Sequence, residues 1–78
     1  MLLNISVNSK YGFHFVIHAE HFRSQGHFIV FSVDNFDVCS IYANDIDNFY
    51  SFEYRIVDGN VVNFDDMLFS DGKIIKII

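Results

Sequence analysis

Residues 50–61 read YSFEYRIVDGNV, and this stretch decides the fold class. From Tyr50 to Ile56 aromatic or apolar residues alternate with polar ones, which is the period of a β-strand with one buried face. Asp58-Gly59 follows, and an Asp-Gly pair between two apolar runs favours a two-residue hairpin turn, because both turn positions need positive φ. The pattern therefore predicts a hairpin in which Ile56 pairs with Val61.

The same signals recur along the rest of the chain. Alternating or continuous apolar runs are separated by polar turns, including Asp34-Asn35 and a second Asp-Gly pair, Asp71-Gly72. Residues 23–26 and 63–66 lack apolar runs and are predicted as bends, and residues 44–48 as a polar turn or a short helix. The predicted strands cover residues 3–8, 13–20, 27–33, 36–43, 50–57, 67–69 and 73–78, and residues 60 and 61 begin the return side of the Asp58-Gly59 hairpin.

Residues 13–24 admit two interpretations. They form either a strand over 13–20 or a helix over 13–24, for which Gly26 is a favourable C-terminal cap. We favour the strand, because the segment is dense in aromatic and β-branched residues, and because three Leu and two Ala are few for a helical protein. The prediction is one mainly β domain over residues 1–78, with six to seven strands in a small antiparallel sheet, barrel or sandwich. The alternative is an α+β fold with one or two short helices.

Charge is distributed unevenly. Residues 34–71 hold nine acidic residues and one basic residue, Arg55, for a net charge of −8, whereas the whole chain carries −5. Such a surface disfavours direct binding of nucleic acid and favours a basic protein as partner. The residues predicted to form the partner-binding acidic face are Asp34, Asp37, Asp45, Asp47, Glu53, Asp58, Asp65 and Asp66.

No arrangement typical of a catalytic or metal site is evident. His14, His18 and His21 would share one face of a helix, but on a strand the first two lie roughly 13 Å apart and the third points the other way. Cys39 lies between Val38 and Ser40 in a predicted strand and is interpreted as a small buried apolar residue. We expect no catalytic residues, no metal and no cofactor.

The aromatic and C-terminal residues have structural interpretations. Tyr50, Phe52 and Tyr54 share one side of a predicted strand and are interpreted as core residues, because the base-stacking alternative needs a basic groove. The last predicted strand is apolar on both sides, with Ile75 and Ile77 facing the core. It is either a central strand or an exposed edge that pairs with a second chain. The residues predicted for that oligomer edge are Ile74, Lys76 and Ile78.

These features lead to a hypothesis about function. We expect a small non-enzymatic module that neutralises a basic protein partner, such as a phage-encoded inhibitor of a host nucleic-acid-processing or CRISPR-like defence complex. The first alternative is a bacterial immunity protein against a toxin nuclease, and the second is a structural domain that forms a homodimer through its C-terminal strand. With a single cysteine, no leader-like N-terminus and no apolar membrane span, the expected location is the cytoplasm, away from any membrane.

Overall fold

The computed structural model covers residues 1–78 and contains eight β-strands, all paired antiparallel. Its one helical element is a 3-10 turn, Ala43–Asp45, so it has no helix with the length and apolarity needed to span a membrane. The strands are β1 Leu3–Ser9, β2 His14–Ala19, β3 His21–Gln25, β4 Phe28–Val33, β5 Phe36–Tyr42, β6 Ile46–Val57, β7 Asn60–Ser70 and β8 Lys73–Ile74.

The strands form two sheets that enclose one core. The larger sheet has the order β2-β1-β6-β7-β8, and the smaller has the order β3-β4-β5. This architecture confirms the predicted mainly β fold of antiparallel strands. Eight strands form rather than six or seven, because the segment after Phe13 makes two strands that meet at Glu20. The predicted bend at residues 23–26 is therefore too early, since β3 continues to Gln25.

The core lies between the two sheets and is centred on phenylalanine. Phe49 contacts Phe22 and Phe31 from the small sheet and Phe69 from its own sheet, with ring centroids 5.0 to 5.2 Å apart. Each buried side chain of this size contributes about 1.5–3 kcal/mol to folding relative to an exposed one. The buried cluster consists of Ile5, Val7, Ile17, Ala19, Phe22, Ile29, Phe31, Ile46, Phe49, Leu68 and Phe69.

Three hairpins are closed by two-residue turns with positive φ at both residues. Asp58 and Gly59 have φ of 51° and 78°, and Ile56 pairs with Val61 as the sequence predicts. The other two turns are Asp34-Asn35 and Asp71-Gly72, and both are also predicted from the sequence. Asp and Asn tolerate this left-handed conformation better than most residues with a side chain, which explains why a local signal located the turns correctly.

The predicted bend at residues 63–66 is wrong, because β7 runs through it without interruption. Each residue from Asn60 to Asp66 has a partner on β6, including Phe64 opposite Glu53 and Asp65 opposite Phe52. Cross-strand backbone hydrogen bonds along the whole hairpin outweigh the weak local turn preference of Asn and Asp. The result is one long β6–β7 hairpin.

The outer part of this hairpin has no neighbouring strand on either side. β1 pairs with β6 only as far as Phe52, and β8 pairs with β7 only at Phe69 and Ser70. Residues 53–66, called the hairpin arm below, therefore form a two-stranded ribbon. Every residue of the arm is exposed except the half-buried Val62. The arm contributes to the elongated shape of the molecule, which measures 44 × 29 × 20 Å.

Candidate functional site

The structure places the eight acidic residues predicted to bind a partner in three regions. Half of them lie on the hairpin arm, and the other half lie on the small sheet or at the start of β6. The positions are Asp34 and Asp37 on the small sheet, Asp45 and Asp47 where the 3-10 turn meets β6, and Glu53, Asp58, Asp65 and Asp66 on the arm. The arm thus carries the largest group of these acids.

Several carboxylates are paired with cations of the same chain. The Arg23 guanidinium donates to both carboxylate oxygens of Asp37, at 2.9 and 3.0 Å, and these bonds hold the pKa of Asp37 below its ordinary value. On the arm, Arg55 donates to Glu53, and Lys76 donates to Asp66. All of these pairs are exposed to solvent, so each contributes little to stability. They nevertheless reduce the charge available to a partner.

The remaining carboxylates of the predicted face have no cation of this chain beside them. Asp58 at the tip of the arm and Asp65 near its base make no side-chain hydrogen bond or ion pair. Asp45 accepts only a long hydrogen bond from the Tyr11 hydroxyl, and Asp47 accepts one from Asn48. The arm therefore presents two unpaired negative charges, Asp58 at its tip and Asp65 near its base.

Glu20 joins the N-terminus to a turn of the small sheet. Its carboxylate accepts a hydrogen bond of 2.8 Å from the N-terminal ammonium of Met1 and another of 2.8 Å from the backbone N–H of Asp34. The ammonium, and then the N–H, lower the pKa of Glu20 from its ordinary value. This contact is structural, because both oxygens of the carboxylate are engaged within the chain.

The aromatic residues of β6 do not face the core, which corrects the prediction from the sequence. Fully buried Val7 of β1 pairs with Phe49, so Phe49 and every second residue after it point to the core side of the sheet. Tyr50, Phe52 and Tyr54 point to the opposite side, because neighbouring residues on a strand alternate between faces. They form the centre of the outer face of the sheet, where Tyr50 and Phe52 are half-buried and Tyr54 is exposed.

Apolar side chains extend this outer face along the arm. Tyr54, Ile56 and Val61 are 67%, 71% and 68% exposed, and Ile56 lies directly opposite Val61. At the other end, half-exposed Met67 lies opposite Tyr50. We call Tyr50, Phe52, Tyr54, Ile56, Val61 and Met67 the aromatic face. A contiguous exposed apolar surface of this kind is typical of a protein–protein contact.

A shallow cavity of about 190 Å³ lies within the aromatic face. Tyr50, Phe52 and Tyr54 line it together with Asp65. His14 also borders it and shares a hydrogen bond of 2.5 Å with Ser6, between Nε2 and Oγ. The cavity therefore combines three aromatic rings with one unpaired negative charge.

A larger cavity of about 410 Å³ lies at the base of the arm. It is bordered by the Glu53–Arg55 pair, by Asp66 and by the chain ends Met1 and Ile78. Arg55 pairs with Glu53 and Lys76 pairs with Asp66, whereas Asp65, which also lines this cavity, has no ion pair.

The histidines and the cysteine are not brought together. His14 and His18 lie on β2, His21 lies on β3, and no three metal-ligating side chains in the molecule are close enough to hold a metal ion. Cys39 lies half-buried on β5, and burial raises the pKa of its thiol. A raised pKa keeps the thiol protonated, which is unfavourable for a nucleophile.

The C-terminal residues pack differently from the prediction. The terminal strand ends at Ile74, after which the N–H groups of Ile75 and Lys76 both donate to the carbonyl of Leu68. Ile78 packs against the core, while Ile77 is 74% exposed, so the predicted inward and outward faces are exchanged. A pair of hydrogen bonds to one carbonyl turns the chain out of the strand path, which explains the change.

Comparison with known proteins finds no match for this chain. No protein-family model matches the chain, and no curated protein or solved structure matches it either. The functional interpretation therefore depends on the aromatic face and the hairpin arm.

Proposed function

We propose that this protein is a non-enzymatic binding module that neutralises a basic protein partner, and that the hairpin arm makes the contact. The observation that carries the proposal is the exposure of Tyr54, Ile56 and Val61, each about two-thirds or more exposed, on a ribbon that has no neighbouring strand. A two-stranded ribbon alone is only marginally stable in water. A partner that covers its apolar side would both bind to it and order it.

The charge of the arm supports a basic partner. Residues 53–66 contain four acidic residues, Glu53, Asp58, Asp65 and Asp66, against Arg55, for a net charge of −3. Negative charge around an apolar contact accelerates association with a positively charged surface and disfavours acidic competitors. In this proposal the apolar side chains of the arm supply most of the affinity, and its carboxylates favour a partner with a basic surface.

Proteins that hold nucleic acid expose basic surfaces of this kind. The proposed partner class is accordingly a nucleic-acid-processing or CRISPR-like defence complex in the cytoplasm of a phage host. A toxin nuclease, neutralised by an immunity protein, would meet the same requirement. A large toxin gene beside this gene favours the immunity role, and phage structural genes beside it favour the inhibitor role.

The test is capture of partners from lysate with the intact chain and with two variants. Ile56→Lys places a charge on the aromatic face, and Val38→Lys makes the same change at a position on β5 that is 52% exposed. We expect the wild-type chain and Val38→Lys to retain the same basic protein, and Ile56→Lys to lose it. Retention should also fall steeply as salt rises. A partner held equally by all three chains, or insensitive to salt, would contradict the proposal.

Self-assembly is the second candidate, and the open edge of β7 favours it. Residues 60–66 of β7 have no strand on their outer side, so a second copy could extend the sheet there. Light scattering at increasing concentration separates the two candidates. A 9.1 kDa particle throughout supports the binding module. A dimer that Val61→Lys abolishes supports self-assembly.

A further inference from the structure

Two aromatic–carboxylate pairs lie back to back at the base of the hairpin arm. Glu53 of β6 is opposite Phe64 of β7, and the next residues in each strand, Phe52 and Asp65, are also opposite each other. Paired residues share a face of the sheet, and successive residues alternate between faces. One pair therefore points to the core side of the arm, and the other points to the aromatic face.

On the core side, the pair is occupied by an arginine of the chain itself. The guanidinium carbon of Arg55 lies 4.5 Å from the ring centroid of Phe64. The same guanidinium donates a hydrogen bond to the carboxylate of Glu53. An aromatic ring face and a carboxylate on neighbouring strands thus bind one guanidinium between them, through a cation–π contact and a charge-assisted hydrogen bond.

On the aromatic face, the second pair has more aromatic surface around it. Tyr50 and Tyr54 flank Phe52, with ring centroids 6.3 and 6.2 Å away and ring planes at 57° and 73° to that of Phe52. Asp65 borders the same cavity, and its carboxylate makes no hydrogen bond or ion pair within the chain. No lysine or arginine of the chain lines this cavity.

We infer that this cavity binds an arginine side chain of the partner protein. The guanidinium lies on the ring of Phe52, beside Tyr54, and donates to the carboxylate of Asp65, as Arg55 does with Phe64 and Glu53. Arginine suits the cavity better than lysine, because its planar guanidinium stacks on ring faces and donates two parallel hydrogen bonds to a carboxylate. The inference rests on the proposed function and names the chemistry by which the partner is recognised.

The direct test is an NMR titration of the intact protein with three capped tripeptides, Gly-X-Gly, in which X is arginine, lysine or citrulline. We expect the arginine peptide to cause saturable shifts at the rings of Tyr50, Phe52 and Tyr54. Citrulline keeps the shape of arginine without its charge and should bind at least about twofold more weakly, since a solvent-exposed cation–π contact corresponds to a factor of about two to five. Equal affinity for the lysine or citrulline peptide would overturn the inference.

Substitutions in the protein supply the second arm of the test. Asp65→Asn and Phe52→Leu remove the charge and the π face with little change in shape, and each should weaken arginine binding at least about threefold. The matched controls are Asp71→Asn and Phe36→Leu, at exposed positions outside the aromatic face, and these should bind as the wild type does. Equal losses in Asp65→Asn and Asp71→Asn, or unchanged binding in Phe52→Leu, would show that the cavity is not the site.

Two further measurements keep the test decisive. If Phe52→Leu unfolds, Tyr54→Leu replaces it, because Tyr54 is 67% exposed and its ring supports no core contact. Capture of the basic partner separates this inference from the proposed function. Loss of capture in Ile56→Lys with normal capture in Asp65→Asn means that the arm binds the partner without an arginine in the cavity. Normal capture in both variants means that the proposed function itself is wrong.

Discussion

Phe49 of β6 and Phe69 of β7 stack across the hairpin, with ring centroids 5.1 Å apart and planes 8° from parallel. Phe22 and Phe31 of the small sheet meet Phe49 edge-on from the other side. Offset stacking and edge-to-face contact are the two arrangements that aromatic rings favour. Phe49 therefore touches both sheets and is the residue that joins them.

Phe49→Ala is expected to destabilise the protein by about 3–5 kcal/mol, because it removes a fully buried ring and leaves a cavity between the sheets. Phe36→Ala is the control, since Phe36 is 74% exposed on β5. It should change the free energy of unfolding by less than about 0.5 kcal/mol. Urea unfolding measures both. Similar losses in the two variants would mean that Phe49 is not the central core residue.

Gly59→Val is expected to destabilise the hairpin through backbone strain alone. Gly59 has φ of +78°, and an added Cβ would meet no atom within 4 Å. A left-handed conformation costs a residue with a side chain roughly 1–2 kcal/mol, and more if the side chain is β-branched. Gly59→Asn should cost clearly less, because Asn tolerates positive φ. Thermal unfolding compares the two, and equal melting temperatures would contradict the assigned turn.

Acid should weaken the protein partly through Glu20. Hydrogen bonds from the N-terminal ammonium and from the Asp34 N–H lower the pKa of Glu20 in the folded state below its ordinary value of 4.5. A carboxyl group with a lower pKa in the folded state stabilises the fold at any pH above its ordinary pKa. This contribution is lost as the pH falls from the ordinary pKa through the lower, folded-state pKa. Glu20→Gln should therefore lower the melting temperature near neutral pH and make it fall less on acidification.

The comparison requires a chain without an N-terminal tag, because the ammonium of Met1 is the main cause of the shift. Asp71→Asn is the control, since Asp71 forms no ion pair in the structure. Its melting temperature should follow that of the wild type across the acid range. Parallel curves for Glu20→Gln and the wild type would show that the contact does not form.

Cys39 should react slowly with iodoacetamide at about pH 8, because burial raises the pKa of its thiol and restricts access to it. The matched control moves the thiol one residue along β5, to the exposed face, by combining Cys39→Ser with Ser40→Cys. Mass spectrometry follows alkylation of both folded chains. Equal alkylation rates in the two folded chains would mean that Cys39 is exposed. In urea both chains are unfolded, and there we expect the two thiols to react at the same rate.

Local sequence signals located most of the strands and turns correctly. Asp58-Gly59 predicts the turn and the pairing of Ile56 with Val61, because positive φ is a property of two adjacent residues and needs no distant contact. The strand at 28–33 follows from its continuous apolar run. The bend predicted at residues 63–66 failed for the opposite reason. Pairing with β6, a non-local effect, overrides the local preference of Asn63 and Asp65.

The site was only half visible in the sequence. Alternation along β6 showed that Tyr50, Phe52 and Tyr54 share one side, and the structure agrees. It did not show which side is buried, and the more apolar side was assigned to the core. No signal along β6 itself distinguishes the two sides, because the strand that sets the buried face, β1, is distant in sequence and pairs with β6 only as far as Phe52.

The sequence by itself determined the antiparallel β architecture, the hairpin turns and the acidic balance, because each depends on residues adjacent in the chain or on composition. Only the tertiary structure decided which side of β6 faces outward. That choice follows from the pairing of Val7 with Phe49, residues 42 positions apart, which commits Phe49 to the core and turns Phe52 and Asp65 toward solvent. A strand's alternation defines two faces, but only the neighbouring strand determines which of them is buried.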